Sequence, residues 1–262
     1  MASIRFDKVQ KYFGRGEKKT HALANIDLEI RDREFLAIVG PSGCGKTTCL
    51  RLVAGFEAAS EGVVSVAGKR VTEPGPDRAV VFQQFALFPW KTARGNIDLG
   101  LRNKRMGGEE RAKRIADVLK LMNLDSHADA FPHQLSGGMQ QRVAIARAYV
   151  LDPEVLLMDE PFGALDAQTR VVMQEELVRL ARVRPRTVLF ITHAVEEAVY
   201  LADRVAVMTR RPGTIKEIVD VKSMREAEDW NRFERIEDVM DLDSFVHLRT
   251  RIWKSLREEK DS

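Results

Sequence analysis

The residues with most chemistry to offer lie close together early in the chain. Gly40, Pro41, Ser42, Gly43, Cys44, Gly45, Lys46, Thr47 and Thr48 have the spacing G-x-x-x-x-G-K-T. Glycines let a backbone approach an anion closely, and the N–H groups that open a helix point at it. In such a loop Lys46 reaches the β- and γ-phosphates and the Thr47 hydroxyl takes a place on Mg²⁺. The competing reading is an ordinary glycine-rich turn, and the flanks weigh against it. Phe35-Leu36-Ala37-Ile38-Val39 is a short apolar run fit for a buried strand. Thr48 to Ala54 carries Leu50, Leu52 and Val53 and stops at Gly55, as a helix does.

Two further stretches carry chemistry. Val155-Leu156-Leu157-Met158 is an apolar strand that ends in two acids, Asp159 and Glu160. A parallel strand puts its carboxyl end at a nucleotide crevice. There Asp159 would hold Mg²⁺ through its water shell, and Glu160 would polarise a water attacking the γ-phosphate. Paired acids also serve helix N-termini; the phosphate loop upstream favours the catalytic reading. Leu135-Ser136-Gly137-Gly138-Met139-Gln140-Gln141-Arg142 sets a hydroxyl and two glycines at a helix start, where backbone donors converge. Within one chain that motif has no evident task beyond capping.

The elements that must position these groups follow from hydrophobic period. Ile26, Leu28 and Ile30 alternate with Asp27 and Glu29, and Val63, Val64 and Val66 suggest another strand, so a small antiparallel layer is expected near the N-terminus. Glu73-Pro74-Gly75-Pro76-Asp77 breaks the chain before a strand expected over Ala79-Val80-Val81-Phe82, ending at Gln83. Ile115, Val118, Leu119 and Met122 recur at helical spacing, and Ser136 reads as an N-cap. Strand signals return at Val155–Met158, Val188–Ile191 and Val205–Met208, with helical patterns between them. Such alternation implies a largely parallel sheet covered on both faces. Beyond Arg210-Arg211-Pro212-Gly213 the chain is highly charged, and Phe245, Leu248, Ile252 and Leu256 mark one amphipathic helix, read as packed on the core.

The chain has 262 residues and a net charge of +3, too mild to point to nucleic acid. Two cysteines, Cys44 and Cys49, cannot build a disulfide framework, which suits a reducing compartment. Cys44 lies beside Lys46 at a helix start, two influences that favour a reactive thiolate; an inert small residue filling a variable loop position is the alternative. Met1 to Phe13 shows no apolar signal core, and no apolar run approaches the roughly 18–20 residues of a membrane span.

Taken in order, Gly40–Thr48, Gln83, Leu135–Arg142, Val155–Glu160, Ala164-Leu165-Asp166 and Thr192-His193 resemble the nucleotide-binding subunits of ABC transporters, across nearly the whole chain to about residue 215. The resemblance implies an α/β fold: a P-loop NTPase core of ABC-ATPase type with an N-terminal antiparallel β layer and a helical sub-lobe. It implies an ATP-binding core over 1–86 and 153–220, a helical sub-lobe over 87–152 and a charged helical extension over 221–262. It implies ATP and Mg²⁺ as ligands, and a head-to-tail homodimer in which Ser136, Gly137 and Gly138 of one copy meet the γ-phosphate bound to the other. Gln83 would join the Mg²⁺ site to a membrane permease, His193 would contact the γ-phosphate, and Asp166 would lie at the dimer seam. Phe13 matches the aromatic that stacks on adenine, with Tyr12 as alternative. Met139 departs from the glutamine common in the family.

Three roles compete within the family. A nucleic-acid mechanic would need a long coiled-coil insertion that 87–152 lacks. A cytosolic assembly ATPase is the alternative to a transport subunit. Pro74–Gln83 and Phe88-Pro89-Trp90 resemble the ATPases of nitrate, sulfonate and taurine importers. That implies a peripheral subunit on the cytoplasmic face of the inner membrane, served by permease chains and an external solute-binding protein.

Overall fold

The computed structural model describes residues 2–14, 19–102, 104–233 and 235–261. In chain order the strands are β1 (Ile4–Phe13), β2 (Thr20–Ile30), β3 (Phe35–Val39), β4 (Glu61–Val66), β5 (Lys69–Arg70), β6 (Arg78–Val81), β7 (Val155–Asp159), β8 (Thr187–Ile191), β9 (Arg204–Met208) and β10 (Ile215–Asp220). The helices are α1 (Lys46–Ala54), α2 (Ala93–Gly100), α3 (Gly108–Leu121), α4 (Gly137–Tyr149), α5 (Ala167–Val183), α6 (Val195–Leu201), α7 (Lys222–Ala227), α8 (Ile236–Met240) and α9 (Asp243–Asp261).

Two sheets form. The first runs β2-β1-β4-β5 and is antiparallel throughout. Its β2 buries Leu28 and Ile30 while Asp27 and Glu29 face solvent, as a period of two requires. The second runs β10-β9-β3-β8-β7-β6; all its pairs are parallel except β10 with β9.

The interior strands of the second sheet, β3, β7, β8 and β9, are apolar at nearly every position because both of their faces are covered. Phe35, Ala37 and Val39 of β3, Leu156 and Met158 of β7, and Val188 and Phe190 of β8 face one core, shared with α4, α5, α6 and α9. Leu36, Ile38, Val155, Leu157, Leu189 and Ile191 face the other, shared with α1 and the antiparallel sheet. A continuous apolar run in sequence is thus two interleaved faces, each feeding its own core.

The strand expected over Ala79–Phe82 is shorter. β6 stops at Val81, which pairs with Met158, the last β7 residue opposite it. Phe82 has no ladder partner; it stands 43% exposed and stacks on Phe56 at 6.3 Å. Helix α1 begins at Lys46, two residues earlier than the apolar pattern alone suggests. Helices α2, α3 and α4 fall between β6 and β7, and α7 to α9 follow β10. Phe245, Leu248 and Ile252 of α9 are buried, with the Phe245 ring 5.8 Å from that of Trp230.

Candidate functional site

The phosphate loop leaves the carboxyl end of β3 and enters α1. Gly45 is the N-cap of α1 with φ 109°, a conformation that L side chains rarely adopt, and a Cβ there would meet Leu23 Cδ2 at 2.5 Å. The loop therefore lies tight against β2. The Lys46 ammonium is buried and donates to the carbonyls of Gly40 (2.8 Å) and Pro41 (3.1 Å). Burial draws its pKa down, while Cys44, Glu160 and Asp159 nearby hold it up.

β7 delivers the acids beside this loop. Thr47 Oγ1 donates to Asp159 Oδ1 at 3.2 Å. Burial raises the Asp159 pKa, opposed by the Thr47 hydrogen bond and reinforced by the charge of Glu160. These donors are all oxygen, the set that suits a hard cation such as Mg²⁺ held also by substrate phosphates.

Glu160 has φ 47°, in the left-handed region, and its N–H donates to Ile191 O at 2.9 Å. For a residue with a Cβ this conformation costs on the order of 1–3 kcal/mol and marks a position held by its surroundings. The turn brings Glu160 Oε1 to 2.5 Å from His193 Nε2. His193 sits between β8 and α6 on a loop fastened by the preceding residue. Thr192 Oγ1 donates to the buried Glu197 Oε2 at 2.5 Å and accepts from Ala194 N at 3.0 Å.

A cavity of about 410 Å³ opens over these groups, lined among others by Phe13, Gly45, Lys46, Thr47, Glu160 and His193. Phe13 is 38% exposed, with the Lys11 ammonium 4.7 Å from its ring centroid. Tyr12, the alternative aromatic, stacks on His21 at 4.3 Å and does not line the cavity. Gln83 is exposed just past β6 and lies against Gly163, where a Cβ would meet its Nε2 at 3.3 Å.

Ser136, Gly137, Gly138 and Asp166 do not line this cavity. Ser136 caps α4, its Oγ accepting from Met139 N at 3.3 Å. Asp166 caps α5, accepting from Thr169 N at 2.9 Å and Thr169 Oγ1 at 2.7 Å, and these bonds hold its carboxyl below the usual range. Gly138 abuts Thr169, so the two helix starts form one surface.

Of the two readings of Cys44, its burial favours the inert one. The Cys44 thiol is 1% exposed, and burial pushes its pKa up; the Lys46 charge and loop N–H groups only partly oppose this. Burial thus works against a reactive thiolate at Cys44. Cys49 is buried as well, and burial drives its pKa up.

The family model described as ABC transporter matches residues 23–163. The chain belongs to the ABC transporter ATP-binding family. An ABC transporter ATP-binding protein of Methanocaldococcus jannaschii is 46% identical over 98% of this chain and 92% of its own length. A taurine import ATP-binding protein of Rhizobium johnstonii is 41% identical over 98% of both chains. A dimeric, post-hydrolysis structure of an ATP-binding cassette bound to ADP and Pi is 34% identical with a TM-score of 0.72, covering 83% of this chain and 98% of that one. As an ABC ATPase, this protein hydrolyses ATP.

Sequence reasoning missed two arginines of this ABC ATPase. Arg211 donates to Gly43 O at 3.2 and 3.3 Å and lines the same cavity. Arg147, near the end of α4, donates to Ala86 O (2.7 Å) and Phe85 O (3.1 Å), so the helix that Ser136 opens grips the loop that follows Gln83. The Arg-Pro-Gly turn after β9 was a usable sign for the first; nothing local marks the second.

Proposed function

We propose that this chain is the ATP-hydrolysing subunit of a membrane importer for a small solute of the nitrate, sulfonate or taurine kind, working as a head-to-tail pair. The observation that carries the hydrolytic part is the convergence of Lys46, Thr47, Asp159, Glu160 and His193 at the carboxyl ends of β3, β7 and β8. The high identity to a taurine import ATP-binding protein over the full chain supports the importer part.

In the mechanism the phosphate loop N–H groups and Lys46 hold the β- and γ-phosphates and stabilise charge as it builds. Thr47, Asp159 and Gln83 would hold Mg²⁺, which would supply neutralisation of phosphate charge. Glu160 orients the attacking water and takes up its proton as the water oxygen bonds to the γ-phosphorus and the bond to ADP breaks. His193, hydrogen-bonded to Glu160, keeps that carboxylate in place and faces the γ-phosphate. Ser136, Gly137 and Gly138, outside their own cavity, serve the nucleotide of the partner copy, and Asp166 on the same surface lies at the seam. Loss of the γ-phosphate then removes the bridge between copies.

The permease contact falls on the loop after Gln83. Phe85 and Leu87 are half-buried and packed on the core, whereas Phe88 is 39% and Trp90 69% exposed, their rings edge to face at 5.4 Å. Exposed aromatics of this kind make interface anchors. Trp90→Ala is expected to leave ATPase activity of the isolated subunit intact and to weaken co-purification with the permease by on the order of 2 kcal/mol. Full activity without any membrane partner recovered by the parent protein would instead support the cytosolic assembly ATPase.

A further inference from the structure

The turn between β9 and β10 is built into the phosphate site. Its Gly213 N–H donates to Ala22 O and its carbonyl accepts from Ala24 N, both at 3.0 Å, which fastens the turn to β2. A Cβ on Gly213 would lie 2.0 Å from the carbonyl oxygen of Cys44, so the turn also rests directly on the phosphate loop. Thr209 closes the turn on itself, accepting from Thr214 N at 2.9 Å and donating backbone to backbone at 3.0 Å. On its outer side the Arg210 N–H donates to Glu259 of α9 at 3.3 Å.

From that seat the Arg211 guanidinium reaches over the loop. Its Nε and Nη2 donate to the single carbonyl of Gly43. It lines the cavity together with Phe13, Thr20, Lys46, Glu160 and His193. Among the described residues Arg211 has no carboxylate partner. A guanidinium carries five N–H donors in a rigid fork and is always charged. One neutral carbonyl leaves most of that donor capacity, and all of the charge, unanswered at the rim of a site that receives polyphosphate.

We propose that Arg211 is a second cationic contact for the phosphates of the bound nucleotide, brought by the β9–β10 turn over Gly43 into the cavity that Lys46 also lines. The Gly43 carbonyl orients the fork, and the turn's attachments to β2 and the phosphate loop fix its height. Because its seat is the phosphate loop itself, which ATP and ADP would both engage, its contribution is read first in nucleotide binding. It favours ATP and ADP alike, weakens with salt as exposed charge pairs do, and is fixed on its outer side by the C-terminal helix. This rests on the nucleotide reading of the cavity.

The test is fluorescence titration with mant-ATP and mant-ADP at low and physiological salt, on the full chain and on Arg211→Ala, Arg211→Lys and Lys46→Ala, with thermal midpoints measured without nucleotide. Arg211→Ala is expected to weaken both nucleotides about tenfold, comparable to loss of one charge-assisted contact discounted for exposure. It should leave the thermal midpoint in place, and Arg211→Lys should recover part of the loss. A change under twofold in Arg211→Ala, with Lys46→Ala defective, overturns the inference while leaving the nucleotide site standing. Unimpaired binding in Lys46→Ala overturns the nucleotide reading itself. Equal loss in the alanine and lysine variants together with a lowered midpoint makes Arg211 a prop of the turn, and also overturns the inference.

Discussion

Gly213→Ala isolates the contact between the β9–β10 turn and the phosphate loop. The backbone φ at Gly213 lies outside the left-handed region, so alanine is compatible with the local chain and stiffens the unfolded state, worth about 0.4–1 kcal/mol in favour of folding. The new Cβ, however, arrives 2.0 Å from Cys44 O and 2.8 Å from Met208 Cε. The methionine tip can rotate away. The Cys44 carbonyl is backbone of the phosphate loop, and relief requires it to withdraw by roughly an ångström. Overpacking of this kind costs about 1–3 kcal/mol, leaving a net loss of about 0–2.5 kcal/mol. At roughly 2–4 °C per kcal/mol for a chain of this size, the midpoint falls by up to about 10 °C, centred near 4 °C. Since the displaced carbonyl belongs to the loop proposed to hold the phosphates, ATP affinity should fall in the same variant, by about tenfold for a lost charge-assisted contact. Thermal unfolding and mant-ATP titration on one preparation measure both. Gly108→Ala is the control: a Cβ there meets nothing within 4 Å, and alanine within α3 should be neutral or slightly stabilising. Unchanged midpoint and unchanged ATP affinity in Gly213→Ala would refute the steric argument.

Other substitutions separate the remaining groups. Glu160→Gln keeps the shape beside His193 but cannot take a proton; turnover should fall by about 10²–10⁴-fold with ATP binding within about threefold of the parent, and steady-state ATPase rates approaching the parent's would remove Glu160 from the water-activating role. Asp159 carries a pKa raised by burial, so its ionisation costs the nucleotide-free protein stability: that cost is absent below the unfolded carboxylate's pKa and complete once pH has risen past the folded one. Asp159→Asn should therefore raise the midpoint at neutral pH, flatten its decline from acid to neutral pH, and abolish Mg²⁺-dependent hydrolysis; a lower midpoint at pH 7 contradicts the sign. Arg147→Met strips the donor from the carbonyls of Phe85 and Ala86, at about 1–3 kcal/mol if they are left unsatisfied, and amide exchange over residues 83–90 should quicken; unaltered exchange there would show that Arg147 does not hold the loop.

What could be read from the sequence was whatever local pattern determines. The phosphate loop is a fixed spacing whose flanks announce strand and helix, and the alternation in Asp27–Ile30 fixes which face of β2 is wet. Ser136 declares itself as a cap because a hydroxyl before a helix has few other uses, whereas the capping role of Asp166 emerges only from the fold. Phe82 was misplaced because strand length is set by the partner: β6 ends where β7 bends into the site, a fact belonging to residues about eighty positions away. Cys44 stayed open between two readings because lysine and helix N-terminus are visible in sequence but burial is not, and burial is the largest influence on that thiol. Arg211 is one of 42 basic residues, and only the fold shows that its turn rests on the phosphate loop.

The strand order also sorts the site by how firmly each part is anchored. β3, which launches the phosphate loop, is hydrogen-bonded to β9 on one side and β8 on the other, and β7, which presents Asp159 and Glu160, lies between β8 and β6. β6 is the rim: four residues long, paired along one side only, and it is the strand that Gln83 follows. Breaking away the interior strands means opening the sheet from both sides, whereas the end of β6 can lift at the cost of a few bonds. The machine is thus a clamped anvil with a sprung edge on the Gln83 side; the opposite edge, β10, is six residues long. Hydrogen exchange should be slowest at β3 and β8 and faster at β6 and the residues after it, so that a displacement beside Gln83 would move a yielding margin while the interior strands stay still.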